Sequence, residues 1–126
     1  GVTSFHVTLA DHCALTHTIP PKNHPYFGAE GCFLPYCDAV KGLTHLPVCG
    51  VGGLTDPDFV EEQLRTGRID CAAMSRPLIA DPDWPNKVMA GRTSALRRCV
   101  RCNQACLGGM MAHQGVHCIY ERKEKR

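Results

Sequence analysis

Apolar runs that suit strands alternate with helix-like segments along most of this chain. Runs rich in β-branched and other apolar side chains predict three strands, at residues 3–9, 46–51 and 69–74. Apolar residues at helical spacing predict three helices, at residues 32–41, 57–66 and 84–90. The second and third strands lack polar alternation, which is typical of strands buried on both faces. The order therefore predicts an α/β fold with a parallel sheet, and a doubly wound sheet and a TIM barrel both satisfy it.

Local signals mark the ends of these elements. Asp56 followed by Pro57 predicts a helix N-terminus, and glycines after the three helices predict their ends, at Gly42, Gly67 and Gly91. A long connection, residues 11–31, follows the first strand and holds three histidines: His12, His17 and His24. A connection of that length in a compact unit is usually functional or disordered, although for any single histidine a surface role is the simpler interpretation.

Composition narrows the class of protein. The 126 residues are 44% hydrophobic and 21% charged with net charge +2, so no strong attraction to nucleic acid or membrane surfaces is expected. No apolar run is long enough to span a bilayer, and residues 1–6 show no signal-peptide pattern. Nine cysteines is an odd number, which argues against a disulfide framework and favours the reducing cytoplasm. Cys49 and Cys71 lie in apolar runs and are predicted to be small buried residues.

Four other cysteines form a pattern that can bind metal. Their spacing is C-x2-C-x3-C-x11-C, and they are Cys99, Cys102, Cys106 and Cys118. Four thiolates suit an iron–sulfur cluster or a tetrahedral zinc ion. The triplet followed by a single cysteine differs from the paired C-x2-C motifs of structural zinc sites and favours a cubane cluster. Zinc and unrelated thiols remain open alternatives.

Two strand ends carry residues that suit an anion. Gly52 and Gly53 follow the second strand and leave backbone amides open to close approach. Ser75 and Arg76 follow the third strand and supply a hydroxyl and a cation. In a TIM barrel the loops after the last two strands commonly bind a phosphate group. A phosphate site is therefore predicted, with a tight glycine turn and a surface arginine as the plain alternatives.

Three segments carry a family resemblance: residues 50–57 (GVGGLTDP), 74–82 (MSRPLIADP) and 99–107 (CVRCNQACL). They resemble the Old Yellow Enzyme class of flavin oxidoreductases, in particular its iron–sulfur branch, typified by 2,4-dienoyl-CoA reductase. The resemblance covers essentially the whole chain. It implies that residues 1–92 form strands six to eight of an FMN-binding TIM barrel and that residues 93–126 form an iron–sulfur segment.

The resemblance also implies roles for single residues. Gly52, Gly53, Ser75 and Arg76 would bind the FMN phosphate, and the four patterned cysteines would ligate a [4Fe–4S] cluster. The cluster would relay electrons between FMN and FAD. No catalytic residue is assigned, because the family's proton-donor tyrosine would precede residue 1, and a full barrel needs about 250 residues.

The implied activity is NAD(P)H-dependent reduction, or formation, of an activated carbon–carbon double bond in a small molecule such as an enoate or 2,4-dienoyl-CoA. The implied partners are the missing barrel half and the FAD and NAD(P)H domains of a parent enzyme, with no nucleic acid and no membrane. The alternative is a zinc-stabilised structural or binding module without redox activity.

Overall fold

The computed structural model describes residues 1–11 and 13–121, so His12 and the charged residues 122–126 lie outside the described part. The chain divides into two compact units, Gly1–Met74 and Ser75–Arg126. Each unit is described by itself below. The functional boundary expected at residues 92 and 93 stays a prediction.

The first unit alternates strands and helices in the predicted order. Its elements are β1 Phe5–Val7, α1 Leu15–Thr18, α2 Leu34–Lys41, β2 Val48–Gly50, α3 Pro57–Arg65 and β3 Cys71–Ala72. The three predicted strands are present but shorter than the apolar runs. The short helix α1 lies inside the connection at residues 11–31, which was predicted as a loop.

The three strands form one parallel sheet in the order β1-β2-β3. Phe5 pairs with Val48, and Cys49 pairs with Cys71. Parallel neighbours that follow one another in the chain need crossover connections, which the segments containing α2 and α3 provide. The predicted parallel sheet and α/β class are thereby confirmed.

The hydrophobic core lies on one face of this sheet. Leu34 and Cys37 of α2 and Val60 of α3 pack there against Val48 and Ile69, and all five are at most 4% exposed. The core depends on this burial, because each such side chain contributes about 1.5–3 kcal/mol when removed from water.

The opposite face of the sheet corrects one prediction. Side chains alternate between faces along a strand, so the partners Cys49 and Cys71 face away from Val48. Cys71 is exposed and Cys49 is only half-buried. The expectation that both are buried was wrong, because an apolar run does not reveal which face a helix covers.

Helix α3 begins as the sequence predicts. The Asp56 carboxylate accepts a hydrogen bond of 2.9 Å from the Asp58 amide, and Pro57 occupies the first helical position. Asp58 in the first turn and Arg65 in the last turn suit the helix dipole. Gly67, with a φ of 71°, ends the segment in a left-handed conformation.

The second unit is helical where it is regular. Its elements are α4 Arg76–Ala80, α5 Trp84–Met89, a 3-10 turn at Thr93–Ala95 and α6 Leu107–Met111. Helix α5 was predicted, whereas α4 and α6 were not. Pro77 lies in the first turn of α4, where its missing N–H costs nothing.

Asp81 organises this unit. Its side chain is almost fully buried, receives the Lys87 ammonium at 2.7 Å, and accepts from the Arg97 amide at 2.9 Å. The second contact fixes the backbone just before Cys99. Asp81 therefore links α5 to the start of the cysteine segment.

None of the helices found in residues 1–11 and 13–121 is long and apolar enough to cross a membrane. The longest, α3, has nine residues, against the roughly 20 that a bilayer core requires.

Candidate functional site

The four patterned cysteines line one cleft in the second unit. The empty space in this cleft, including the part open to solvent, is about 300 Å³, and Arg76, Asn103 and His117 border the cleft as well. All four thiols are half-buried. The structure thus brings together the four cysteines that the sequence pattern groups: Cys99, Cys102, Cys106 and Cys118. Their role as ligands stays a prediction.

Left-handed backbone at two non-glycine residues shapes the first turn of the cysteine segment. Arg101 has a φ of 54° and Asn103 a φ of 60°. Such φ values are uncommon for an arginine and cost free energy, so they persist only where the surrounding structure holds the backbone in place. Here the turn directs the Arg101 amide to the Cys99 sulfur, 3.3 Å away. Amide hydrogen bonds of this kind tune a ligating sulfur.

A close backbone approach at Gly109 lets the chain return to the cleft at Cys118. Gly109 is buried in α6, and a Cβ there would lie 2.5 Å from the Gly115 carbonyl oxygen and 3.4 Å from the His117 ring. A larger residue would push the returning chain away from α6. The glycine is therefore part of what closes the loop from Cys106 to Cys118.

The surroundings of Cys99 shift the pKa of its thiol in opposite directions. Burial raises the pKa of the Cys99 thiol, and the Cys106 and Cys118 thiols raise it further. The Arg101 amide and the Arg76 guanidinium lower that pKa. A thiol ligates as its thiolate, so loading this site would release protons and would make use of the positive charge.

The chemistry of the donor set limits which metal group these residues could hold. In the described part of the chain, no three His, Cys, Asp or Glu side chains converge on a position for one metal ion. A tetrahedral zinc ion with Zn–S bonds of about 2.3 Å needs its sulfurs roughly 3.8 Å apart. The described side chains do not form such a group as they stand, and the choice between zinc and a cluster stays a prediction. A four-iron cluster binds each thiolate at a different iron, and four cysteines around one cleft fit that donor set.

Arg76 opens α4 and is tied to the cysteine segment. Its guanidinium donates to the Asn103 side-chain oxygen at 2.6 Å. This contact was missed from the sequence, because the two residues are 27 positions apart and no local pattern connects them. Ser75 precedes the helix, is exposed, and makes no side-chain capping hydrogen bond.

Gly52 and Gly53 lie in a bend after β2. Their φ values are 106° and 65°, a region that glycine enters readily. A Cβ on Gly52 would lie 2.7 Å from Cγ of the buried Phe33, so packing alone requires glycine there. Gly53 accepts a backbone hydrogen bond of 3.1 Å from Gly31. Gly52 and Gly53 belong to the first unit, and their shared phosphate role with Ser75 and Arg76 stays a prediction.

A carboxylate of the chain already binds the two backbone amides that immediately precede α3. Glu30 accepts hydrogen bonds from the Thr55 amide at 2.9 Å and from the Asp56 amide at 3.4 Å, and it also contacts the Thr55 hydroxyl. A phosphate near this helix would have to use other donors. Sequence analysis missed Glu30, because the contact joins residues 25 positions apart.

The connection after β1 holds a cluster of rings. His17 contacts the Asp11 carboxylate at 2.7 Å and lies edge-on to His24, with ring centroids 5.1 Å apart. His24 stacks on Phe27 at the same centroid distance. The Cys13 amide and then His17 lower the pKa of Asp11. The contacts of His17 and His24 described here all lie within the connection itself.

Comparison with known proteins places this chain in a family. Residues 6–95 match the model of the NADH:flavin oxidoreductase / NADH oxidase family. The chain is 66% identical over 125 residues to a bilirubin reductase of Clostridium symbiosum. The aligned region covers 99% of this chain and 34% of that protein. It is 34% identical over 109 residues to an NADH oxidase of Thermoanaerobacter brockii, covering 86% of this chain and 16% of the relative. The chain therefore spans about a third or less of these relatives.

Two solved structures are similar in fold. A 6-hydroxypseudooxynicotine amine oxidase from Pseudomonas geniculata aligns with a TM-score of 0.79 and 36% identity, over 91% of this chain and 16% of that one. A 2-naphthoyl-CoA reductase, solved with 2-naphthoyl-CoA, aligns with a TM-score of 0.77 and 28% identity, over 94% of this chain and 17% of the reductase.

Proposed function

Because the chain belongs to the NADH:flavin oxidoreductase / NADH oxidase family, we propose that it is part of a cytoplasmic flavoenzyme that reduces activated carbon–carbon double bonds. Residues 1–92 would form strands six to eight of an FMN-binding TIM barrel, and residues 93–126 would hold a [4Fe–4S] cluster. When bound, FMN would supply hydride transfer and the cluster single-electron transfer. The barrel's other strands and the FAD and NAD(P)H domains would belong to a longer parent enzyme.

The observation that carries the proposal is the cleft with four cysteines beside Arg76. Cys₄ is the usual ligand set of a [4Fe–4S] cluster. The Arg101 amide, 3.3 Å from the Cys99 sulfur, would stabilise the thiolate. The Arg76 guanidinium adds a positive charge that would favour the reduced, more negative state of the site.

Arg76 would have a second task toward the flavin. With the amides of Gly52 and Gly53 and the Ser75 hydroxyl, it would bind the FMN phosphate at the strand ends. The bond between Arg76 and Asn103 would then connect the phosphate-binding residue to the cysteine loop. Because Glu30 uses the two amides just before α3, the glycine amides would have to supply the backbone contacts of the phosphate.

The relatives support two substrate classes to test. The 66% identity to a bilirubin reductase makes a linear tetrapyrrole the first substrate to test. Similarity to a cinnamate reductase of Clostridium sporogenes, 30% identical over 94 residues, supports an enoate or enoyl thioester as the next. Both types present a double bond conjugated to an electron-withdrawing group, which accepts hydride.

Metal analysis tests the cluster. After anaerobic reconstitution with iron and sulfide, the protein is expected to be brown and to hold iron and acid-labile sulfide in equal amounts. Replacing Cys99, Cys102, Cys106 or Cys118 by serine should lower both, whereas Cys13→Ser, at an exposed cysteine outside the pattern, should not. Colourless protein that retains stoichiometric zinc would instead support the structural module.

Activity is tested separately in the parent enzyme. We expect anaerobic NAD(P)H-dependent consumption of bilirubin, with cinnamate and a 2,4-dienoyl-CoA as comparison substrates. Arg76→Gln should lower the FMN content of the purified enzyme. Full activity and full flavin content in that variant would contradict the phosphate assignment without bearing on the cluster.

A further inference from the structure

We propose that Asn103 is a positioning residue for the FMN phosphate: its side-chain oxygen sets the orientation in which the Arg76 guanidinium meets that phosphate. The inference rests on the proposed function, in which Arg76 binds the phosphate. It assigns a share of the flavin affinity to a residue of the cysteine loop. Both residues belong to the unit Ser75–Arg126, so their contact lies within one compact part of the chain.

The backbone around Asn103 is constrained. Its φ of 60° lies in the left-handed region, which asparagine enters more readily than most residues that carry a side chain. Its carbonyl oxygen accepts a hydrogen bond of 2.9 Å from the Gly108 amide in the first turn of α6. The residue also lies between Cys102 and Cys106, which both border the cleft. The side-chain oxygen therefore projects from a stretch of backbone that has little freedom to move.

The bond to Asn103 restricts the long side chain of Arg76. Nη1 of Arg76 donates to the Asn103 side-chain oxygen at 2.6 Å, and the contact is partly buried. A guanidinium is planar and its N–H donors form a rigid fork, so a bond at one terminal nitrogen sets the plane of the whole group. Arg76 would therefore lose fewer rotamers on meeting the phosphate than an arginine that lacked this bond.

The expected effect of losing this bond is a moderate loss of flavin affinity. Immobilising one rotamer-rich side chain weakens an association by about three- to tenfold, and the Asn103 bond removes that cost before the flavin binds. Asn103→Gly deletes the acceptor, and because glycine tolerates a positive φ, the cysteine loop can keep its backbone conformation. We therefore expect Asn103→Gly to raise the dissociation constant of FMN about three- to tenfold.

Flavin titration of the deflavinated parent enzyme tests the inference with FMN and with riboflavin, which lacks the phosphate. Asn103→Gly and Arg76→Gln should each weaken the binding of FMN and leave the affinity for riboflavin unchanged. In the Arg76→Gln background, Asn103→Gly should have no further effect, because Asn103 acts only through Arg76. Gln104→Gly is the matched control: it places glycine at the exposed next position of the same loop and should leave both affinities unchanged.

The outcomes separate this inference from the proposed function. Equal losses of FMN and riboflavin affinity in Asn103→Gly, or a loss of FMN affinity that persists undiminished in the Arg76→Gln background, would indicate a general structural effect and overturn the positioning role. Normal FMN affinity in Asn103→Gly, beside weakened affinity in Arg76→Gln, would overturn the positioning role and leave the phosphate assignment intact. Unchanged FMN affinity in Arg76→Gln would instead refute the phosphate assignment itself, and the inference with it.

Discussion

Removal of the Asp81 carboxylate is expected to destabilise the second unit. Asp81 is 1% exposed, and its oxygens take up the Lys87 ammonium at 2.7 Å and the Arg97 amide at 2.9 Å. Asp81→Ala leaves the ammonium without its partner and the amide without its acceptor. Asp81→Asn keeps an oxygen for the amide but removes the ion pair.

The magnitude follows from burial. Breaking a fully buried ion pair costs about 3–5 kcal/mol, but the Lys87 side chain is 19% exposed and can regain some water. A lost hydrogen bond to a charged group costs about 1.5–3 kcal/mol. We therefore expect Asp81→Ala to lower the free energy of unfolding by about 2–3 kcal/mol and Asp81→Asn by about half of that.

The effect has a defined pH dependence. The Lys87 hydrogen bond holds the pKa of Asp81 below its usual value. A carboxyl whose pKa is lower in the folded state stabilises the fold above its unfolded pKa of about 3.9 and loses this contribution as pH falls. The difference between wild type and Asp81→Ala should be constant near neutral pH and shrink below about pH 4.

Urea unfolding measures these differences. Trp84, the only tryptophan, is buried in α5 close to Asp81 and reports on this unit by fluorescence. Asp83→Asn is the matched control, since its carboxylate is half exposed and lies 4.0 Å from Arg92; it should cost about 0.5 kcal/mol or less. Equal destabilisation by the Asp81 and Asp83 substitutions would refute the argument from burial.

Two further predictions concern the first unit. Gly52→Ala forces a Cβ into the Phe33 ring at a left-handed φ and should lower the free energy of unfolding by about 3 kcal/mol. Gly67→Ala is the control: it also has a positive φ, but its Cβ would lie in open space, so the same denaturant titration should show a loss of about 1 kcal/mol. Asp56→Ala removes the N-cap of α3 and should cost about 1 kcal/mol in chemical denaturation; Asp56→Ser should restore most of it, and equal losses for both would argue against capping.

Elements defined by neighbouring residues could be predicted from the sequence. Asp56 and Pro57 act within one helical turn, so the start of α3 was correct. Pro77 occupies the first turn of α4 in the same way, but the five residues of that helix are too few to show helical periodicity in the sequence. The strands are shorter than their runs because strand ends depend on pairing partners, which a single segment does not specify.

Contacts between distant residues could not be predicted. The spacing of the cysteines was sufficient to group them, because three of the four lie within eight residues of each other in the sequence. The contacts of Asn103 with Arg76 and of Thr55 with Glu30 join residues 27 and 25 positions apart. The exposure of Cys71 likewise depends on which side of the sheet the helices cover.

The Glu30 carboxylate at the start of α3 has a consequence for engineering. The connection at residues 11–31 supplies the negative charge beside a helix whose N-cap residue, Asp56, lies 26 residues after Glu30. A graft that exchanged this connection for one from a relative would have to bring an acid to the same place, or the two amides just before α3 would lose their acceptor. Recombination between homologues should therefore keep connection and helix together as one inherited block.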